Sequence, residues 1–322
     1  MTESVIDISG ISIGHYTDTA SGTGCTVILC PDGAVPGVDV RGSAPGTRET
    51  DLMRTGHMIR HIHGLVLSGG SAFGLESASG VMRYLEENNI GYKVANSVVP
   101  IVPAAIIFDL GFIDNKIRPG IAEGYLAAKN ATIGTVQEGN VGAGTGATIG
   151  KAMGIKNATK GGLGTYCMTV AGVKIAAIAV ANPFGDVVDP ETGIIIAGAR
   201  GKHNEFINTS NYLLQGSAGK SETDLSNTTL AVVITDADLT KEEANKLSQN
   251  GQNGLSLAIR PAHTTGDGDV VFALATGKSK LKPDMRQLGI AASKTVYKAI
   301  IQAVRSAESL GGIPSANEIG QI

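Results

Sequence analysis

At Thr228 the character of the chain changes within a single residue. From about Gly201 to Asn227 it is polar and glycine-rich, with Asn204, Asn208, Thr209, Ser210, Asn211, Gly216, Ser217, Gly219, Ser221, Thr223 and Ser226, which is loop chemistry. From Leu230 to Thr235 it is a β-branched run that predicts a buried strand. Any fold of this chain must therefore bring a long loop onto the front of a core strand, with a hydroxyl at the junction. Two readings compete. In one, Thr228 simply opens the strand. Alternatively it attacks the Asn227 carbonyl, passes through an ester and emerges as a new N-terminus. Its α-amine, with an ordinary pKa of roughly 7.7–8.0, then serves as general base for the hydroxyl beside it. The dipeptide alone favours the first.

Composition narrows the setting. A chain of 322 residues can bury a substantial core as one large domain or two ordinary ones. Aromatics are only 4%, tryptophan is absent, and 44 glycines with abundant alanine imply helices packed through small side chains. A formal charge of −3 and a pI near 6.1, with scattered basic residues, give no reason to expect a nucleic acid or an acidic membrane as partner. Cys25, Cys30 and Cys167 match no zinc or redox spacing, so a reduced, cytoplasmic setting is expected. Met1 to Asp7 lacks a basic segment followed by an apolar one, and no apolar run approaches the ~20 residues that span a bilayer. The sequons at Asn130, Asn157, Asn208 and Asn227 are then incidental.

In order, Ile6–Tyr16 and Gly24–Leu29 read as two short strands, with Pro31-Asp32-Gly33 as a turn. Arg41–Asp51 is a charged, Gly/Pro-containing loop of the kind that lines sites, though a solvated turn explains it as well. His57 and His61 would share a helix face, but Met58 stands where a metalloprotease needs glutamate, so surface or packing roles are expected and no metal. Leu65-Val66-Leu67, then Ser68-Gly69-Gly70, then Leu75–Glu87 is a strand, tight turn and helix; Phe73 excludes a nucleophile elbow. Arg118–Asn130 reads as a helix. Gly142–Lys151 is a glycine-dense loop whose spacing fits neither a P-loop nor a dinucleotide fingerprint, leaving a backbone-rich loop that ends in a lysine. Gly162–Met168 and Thr169–Ala181 are strands, the second ending at Asn182-Pro183. Asp186–Ile196 is a further strand pair. Thr240-Lys241-Glu242-Glu243 is a capping box that opens a helix closed by Arg260-Pro261. Asp267-Gly268-Asp269 enters the strand Val270–Ala275, without the rest of an EF-hand, and Met285–Leu310 is a long amphipathic helix stopped by Gly311-Gly312.

Taken together these segments resemble the DmpA-type aminopeptidase family, which includes β-peptidyl aminopeptidases and a nylon-oligomer hydrolase. The resemblance rests on Asn227-Thr228-Thr229 before an apolar strand, Arg260-Pro261 through His263-Thr264, and Asp267-Gly268-Asp269 with Phe272–Gly277. Upstream, Ser68-Gly69-Gly70 with Gly74-Leu75-Glu76, the Gly142–Lys151 loop and Val180-Ala181-Asn182-Pro183 follow in the same order. Almost the whole chain is covered.

The resemblance implies an α+β fold, a four-layer αββα sandwich of the N-terminal-nucleophile-like type. It implies one hydrolase domain, 1–322, cut into an α chain 1–227 and a β chain 228–322. Thr228 matches the nucleophile, Lys151 and Asn182 the lysine and asparagine that flank it, and Asp267 and Asp269 the carboxylate pair. Phe108 stands at a substrate-binding position where family members often carry tyrosine, and it has no hydroxyl to donate. On this assignment Asn182 donates to the developing oxyanion, where one donor is typically worth ~2.7–4 kcal/mol. Lys151 disfavours the ammonium form of the new amine. Asp267 and Asp269 orient that amine and the hydroxyl, or meet the N-terminus of a substrate. The expected activity is release of N-terminal amino acids from short peptides, amides or esters. Endo-hydrolysis of amino-acid-like oligomers, acyl transfer to an amine as in ornithine acetyltransferases, and non-catalytic binding of small ligands are the alternatives. No cofactor is implied. The expected partners are a small peptide or amide substrate and further copies of the chain, as a tetramer or larger.

Overall fold

The computed structural model describes residues 4–216 and 227–320. Its centre is the strand Thr228–Thr235, in which every residue is buried. A strand with no wet face must be covered on both sides, and its side chains divide accordingly. Leu230, Val232 and Ile234 enter one apolar cluster, Ala231 and Val233 another. It pairs antiparallel with Val173–Asn182, where Ile178 opposes Val232, and parallel with Val270–Ala275, where Phe272 opposes Val232. Leu163–Val170 closes that side of the sheet.

On the other side, Val270–Ala275 meets the second half of Thr23–Val40, with Phe272 opposite Val38. The first half of the same strand pairs with Ser12–Asp18 and Ile62–Ser68, and Ala104–Ile106 then adds parallel to Ile62–Ser68. Pairing shifts register between Leu29 and Ala34, so one long strand passes from one sheet into a second that faces it. The helices Lys241–Ala258 and Met285–Arg305 cover the outer face of the sheet containing Thr228. Ser77–Glu87 and Ile121–Lys129 cover the outer face of the other. The three buried clusters are thus the three interfaces of a four-layer αββα sandwich.

Small residues set the outer spacing, as the composition implies. A Cβ on Gly80 would stand 1.9 Å from the Ile121 carbonyl oxygen, and one on Gly124 would stand 1.9 Å from that of Ser77. The two helices cross on these glycines and could not approach so closely otherwise.

Several local expectations are corrected. The N-terminal stretch forms a short 3-10 turn, Val5–Asp7, and its strand begins only at Ser12, after Gly10 takes a positive φ of 93°. Pro31-Asp32-Gly33 does not end a strand but marks the bend within Thr23–Val40. His57 and His61 lie in irregular, exposed chain rather than on a helix, and His63 is buried at the start of a strand. The long C-terminal helix stops at Arg305. Within the polar segment before Thr228, Asn208 caps a short helix, Thr209–Leu214, and 217–226 lie outside the described residues. Thr240 caps the next helix as its sequence requires, accepting from Glu243 N–H while Glu243 returns the bond. Among the described residues no helix is long and apolar enough to cross a membrane.

Candidate active site

The strand order brings three chain ends to one edge. Val173–Asn182 ends where Thr228–Thr235 begins, so Asn182 and Thr228 are directly paired. Because Val270–Ala275 runs parallel to Thr228–Thr235, its approach segment Asp267-Gly268-Asp269 arrives at the same edge, and Asn227 bridges to Asp267.

Thr228 is 2% exposed, and its Oγ1 donates to the carbonyl oxygen of Asn227, the residue before it, at 2.5 Å. The same carbonyl accepts the Gly268 N–H at 2.9 Å. A hydroxyl and a backbone donor therefore converge on one buried peptide group. Gly268 is required here by space: a Cβ would stand 2.7 Å from Thr228 Oγ1 and 2.7 Å from the Ala44 carbonyl oxygen. The Arg41–Asp51 loop lines this side, since Ala44 N–H donates to the Asp267 carbonyl and those of Arg41 and Gly42 to the Asp269 carbonyl.

The carboxylate pair is buried, and its members have different tasks. Asp269 Oδ1 accepts the Thr229 N–H at 2.7 Å, while Oδ2 accepts from the backbone and ring of His263. Asp267 Oδ2 accepts the Thr264 N–H at 2.8 Å, and Oδ1 has no partner among the described residues. Burial, reinforced by the negative charge of Asp269, pushes Asp267 above the usual carboxylate range.

Lys151 is buried, and its ammonium donates to the carbonyls of Thr148, Asn182 and Pro183 at 2.7, 3.1 and 3.2 Å. Burial lowers its pKa from 10.5 to about 7, against the opposing pull of Asp267 and Asp269. Asn182 accepts the Thr148 N–H at 3.0 Å, and its Nδ2 donates to the Phe108 carbonyl at 3.3 Å. In the continuous chain the backbone donor on the Asn227 carbonyl is Gly268, while the Asn182 amide bonds the Phe108 carbonyl. Phe108, half-buried, meets Asn182 through its backbone.

Sequence reasoning did not single out Gly268 as a donor or His263 as a neighbour of Asp269. A backbone N–H belongs to nearly every residue, so only the paired strands reveal which one meets the carbonyl. Among the described residues, no cluster of three or more His, Cys, Asp or Glu could hold a metal ion.

Comparison with known proteins gives a consistent picture. The chain is 41% identical to an uncharacterized aminopeptidase of Mycobacterium leprae, over 97% of this chain and 92% of that one. It is 28% identical to a 6-aminohexanoate-oligomer endohydrolase of Kocuria sp., over 93% of this chain and 85% of that one. Its fold matches the L-aminopeptidase D-Ala-esterase/amidase of Ochrobactrum anthropi, a variant of the Ntn hydrolase fold, with a TM-score of 0.70 at 19% identity over 96% of this chain and 88% of that one. A β-aminopeptidase of Burkholderia sp. gives 0.71 at 19% identity, over 100% and 92%. A model of peptidase family S58 matches residues 3–317, and the chain belongs to that family.

Proposed function

We propose that this member of the family is a self-processing amide hydrolase. It cuts its own Asn227–Thr228 bond and then uses Thr228 to release N-terminal amino acids from short peptides, amides or esters. The observation that carries this reading is the Asn227 carbonyl, held between the Thr228 hydroxyl and the Gly268 N–H.

In the first step Thr228 Oγ gives up its proton and bonds to the Asn227 carbonyl carbon, the C–N bond breaks, and the nitrogen takes up that proton to become the Thr228 α-amine. The negative charge that develops on the oxygen falls on the Gly268 N–H. Water then hydrolyses the ester, leaving the Asn227 carboxylate and restoring the hydroxyl. In turnover the α-amine takes the Oγ proton as the hydroxyl attacks the substrate carbonyl. The leaving amine departs protonated, and water releases the acyl group. Asp267 Oδ1, buried without a partner among the described residues, would receive the new amine, and Lys151 would disfavour its ammonium form.

The test is the intact mass of freshly purified protein under denaturing conditions. Two fragments, 1–227 and 228–322, are expected, with Thr228→Ala remaining a single 32.9 kDa chain. Aminoacyl p-nitroanilides should be hydrolysed by the cut protein alone. A wild-type chain that stays whole and inert overturns the proposal. A second reading, endo-hydrolysis of 6-aminohexanoate-type oligomers, is favoured by relatives of that name matched over more than nine-tenths of the chain. It predicts cleavage of internal amide bonds in a blocked oligomer that has no free amine.

A further inference from the structure

His263 lies in the connection between the Lys241–Ala258 helix and the Val270–Ala275 strand, with a φ of 57°, a left-handed conformation uncommon for a residue with a side chain. Its backbone N–H and its ring Nδ1 both meet one oxygen, Asp269 Oδ2, at 3.0 and 2.9 Å. The far ring nitrogen, Nε2, lies 2.9 Å from Ser256 Oγ on the last turn of the helix. The other oxygen, Asp269 Oδ1, holds the Thr229 N–H. An unbroken hydrogen-bonded path therefore runs from the helix, through the imidazole and Asp269, to the peptide unit joining Thr228 to Thr229.

We propose that His263 is a positioning residue, which acts through Asp269 to fix the Thr228 hydroxyl for self-cleavage and for turnover. The proposal rests on Thr228 being the nucleophile. Asp269 as a carboxylate only accepts, so Nδ1 carries the proton and, in the neutral ring, Nε2 accepts from the Ser256 hydroxyl. With Oδ1 on the Thr229 N–H, the His263 N–H alone would hold the carboxylate by one bond at each oxygen, and the ring adds a second bond on Oδ2 that resists its pivoting. A pivot would move the Thr228–Thr229 peptide at one end. At the other it would move Gly268, the residue before Asp269 and the donor to the Asn227 carbonyl. His263 thus aligns the attacking group and its oxyanion donor together without touching either.

The positive φ dictates the test. Glycine takes that conformation without cost and removes the ring. Asparagine also tolerates it and keeps a donor close to where Nδ1 stands. His263→Gly is expected to slow self-cleavage and lower kcat about 10- to 100-fold with KM within about threefold, while His263→Asn stays within about fivefold of wild type, the scale set by a misplacement of about 1 Å. Thermal unfolding of both variants, with assays run well below either midpoint, separates this from loss of folded protein. A His263→Gly enzyme with wild-type kcat, an equal loss in both variants, or a change confined to KM overturns the proposal. If such a result accompanies a wild type that cuts itself and turns over, only the role of His263 falls. A wild type as intact and inert as Thr228→Ala removes the nucleophile reading and this proposal with it.

Discussion

Gly268 carries two constraints in one residue: its N–H grips the Asn227 carbonyl, and its missing side chain leaves room for the Thr228 hydroxyl. Gly268→Ala puts a methyl group 2.7 Å from Thr228 Oγ1, closer than carbon and oxygen can stand. The Thr228 hydroxyl or the Gly268 N–H must then shift. Self-cleavage is expected to slow by about 100-fold or more, the usual cost of a displaced oxyanion donor. The measure is the fraction cut against time on a denaturing gel. Circular dichroism melts should show the variant still folded, because the clash lies at the sheet's edge. Thr228, Lys151, Asn182, Asp267 and Asp269 were singled out as candidates, the hydroxyl before a buried strand and the two acids around a glycine by their setting, and the lysine and asparagine through the family resemblance. Gly268 and His263 were not. What they contribute is a backbone N–H and a contact across the fold, and neither leaves a mark on local composition.

A second buried lysine, which no sequence motif marks out, holds elements around the site. Lys160, on the short strand Thr159–Lys160, is fully buried and donates to the carbonyls of Gly144, Ala147 and Gly161 at 3.2, 2.9 and 2.7 Å. It pins the glycine-rich loop that ends at Lys151. Burial lowers its pKa from 10.5 to about 7, opposed by Asp109, which burial raises from 3.8 to about 6. Lys151 is lowered to about 7 as well. A lysine held below its unfolded value binds fewer protons folded than unfolded between those two values. The folded state is therefore penalised below about pH 7 and gains stability as pH rises above it. Asp109 acts earlier and with opposite sign, lowering stability as pH rises from 3.8 to about 6. Cys25 and Cys30, raised from 9.0 to about 12, lower stability once pH passes 9.0. Between pH 7 and about 8.5 the lysines dominate, and the urea midpoint of Thr228→Ala should climb. Adding Lys160→Met should flatten that climb. An unchanged slope would mean that Lys160 titrates as an ordinary lysine.

At the scale of the molecule, strand and helix identities could be read from hydrophobic pattern and caps, as in Val173–Asn182 and the helix opened by Thr240. The passage of one strand between two sheets could not, because Pro31-Asp32-Gly33 looks locally like a turn and only the partners on either side reveal the continuity. The interleaving of strands bears directly on the proposed cut. Thr228–Thr235 lies between Val173–Asn182, from before the cut, and Val270–Ala275, from after it, and Val270–Ala275 in turn pairs with Val35–Val40 from before it. The sheet that contains Thr228 is built from both fragments, so the cut protein is expected to stay associated on a sizing column and to separate only in denaturant. On dilution from denaturant, Thr228→Ala should refold at a rate independent of protein concentration. The cut protein should recover at a rate proportional to concentration, because two chains must now meet. Before cleavage, finding the native state is a search by one molecule. Afterwards it is an encounter, and a mature enzyme once unfolded at low concentration is lost for want of a collision.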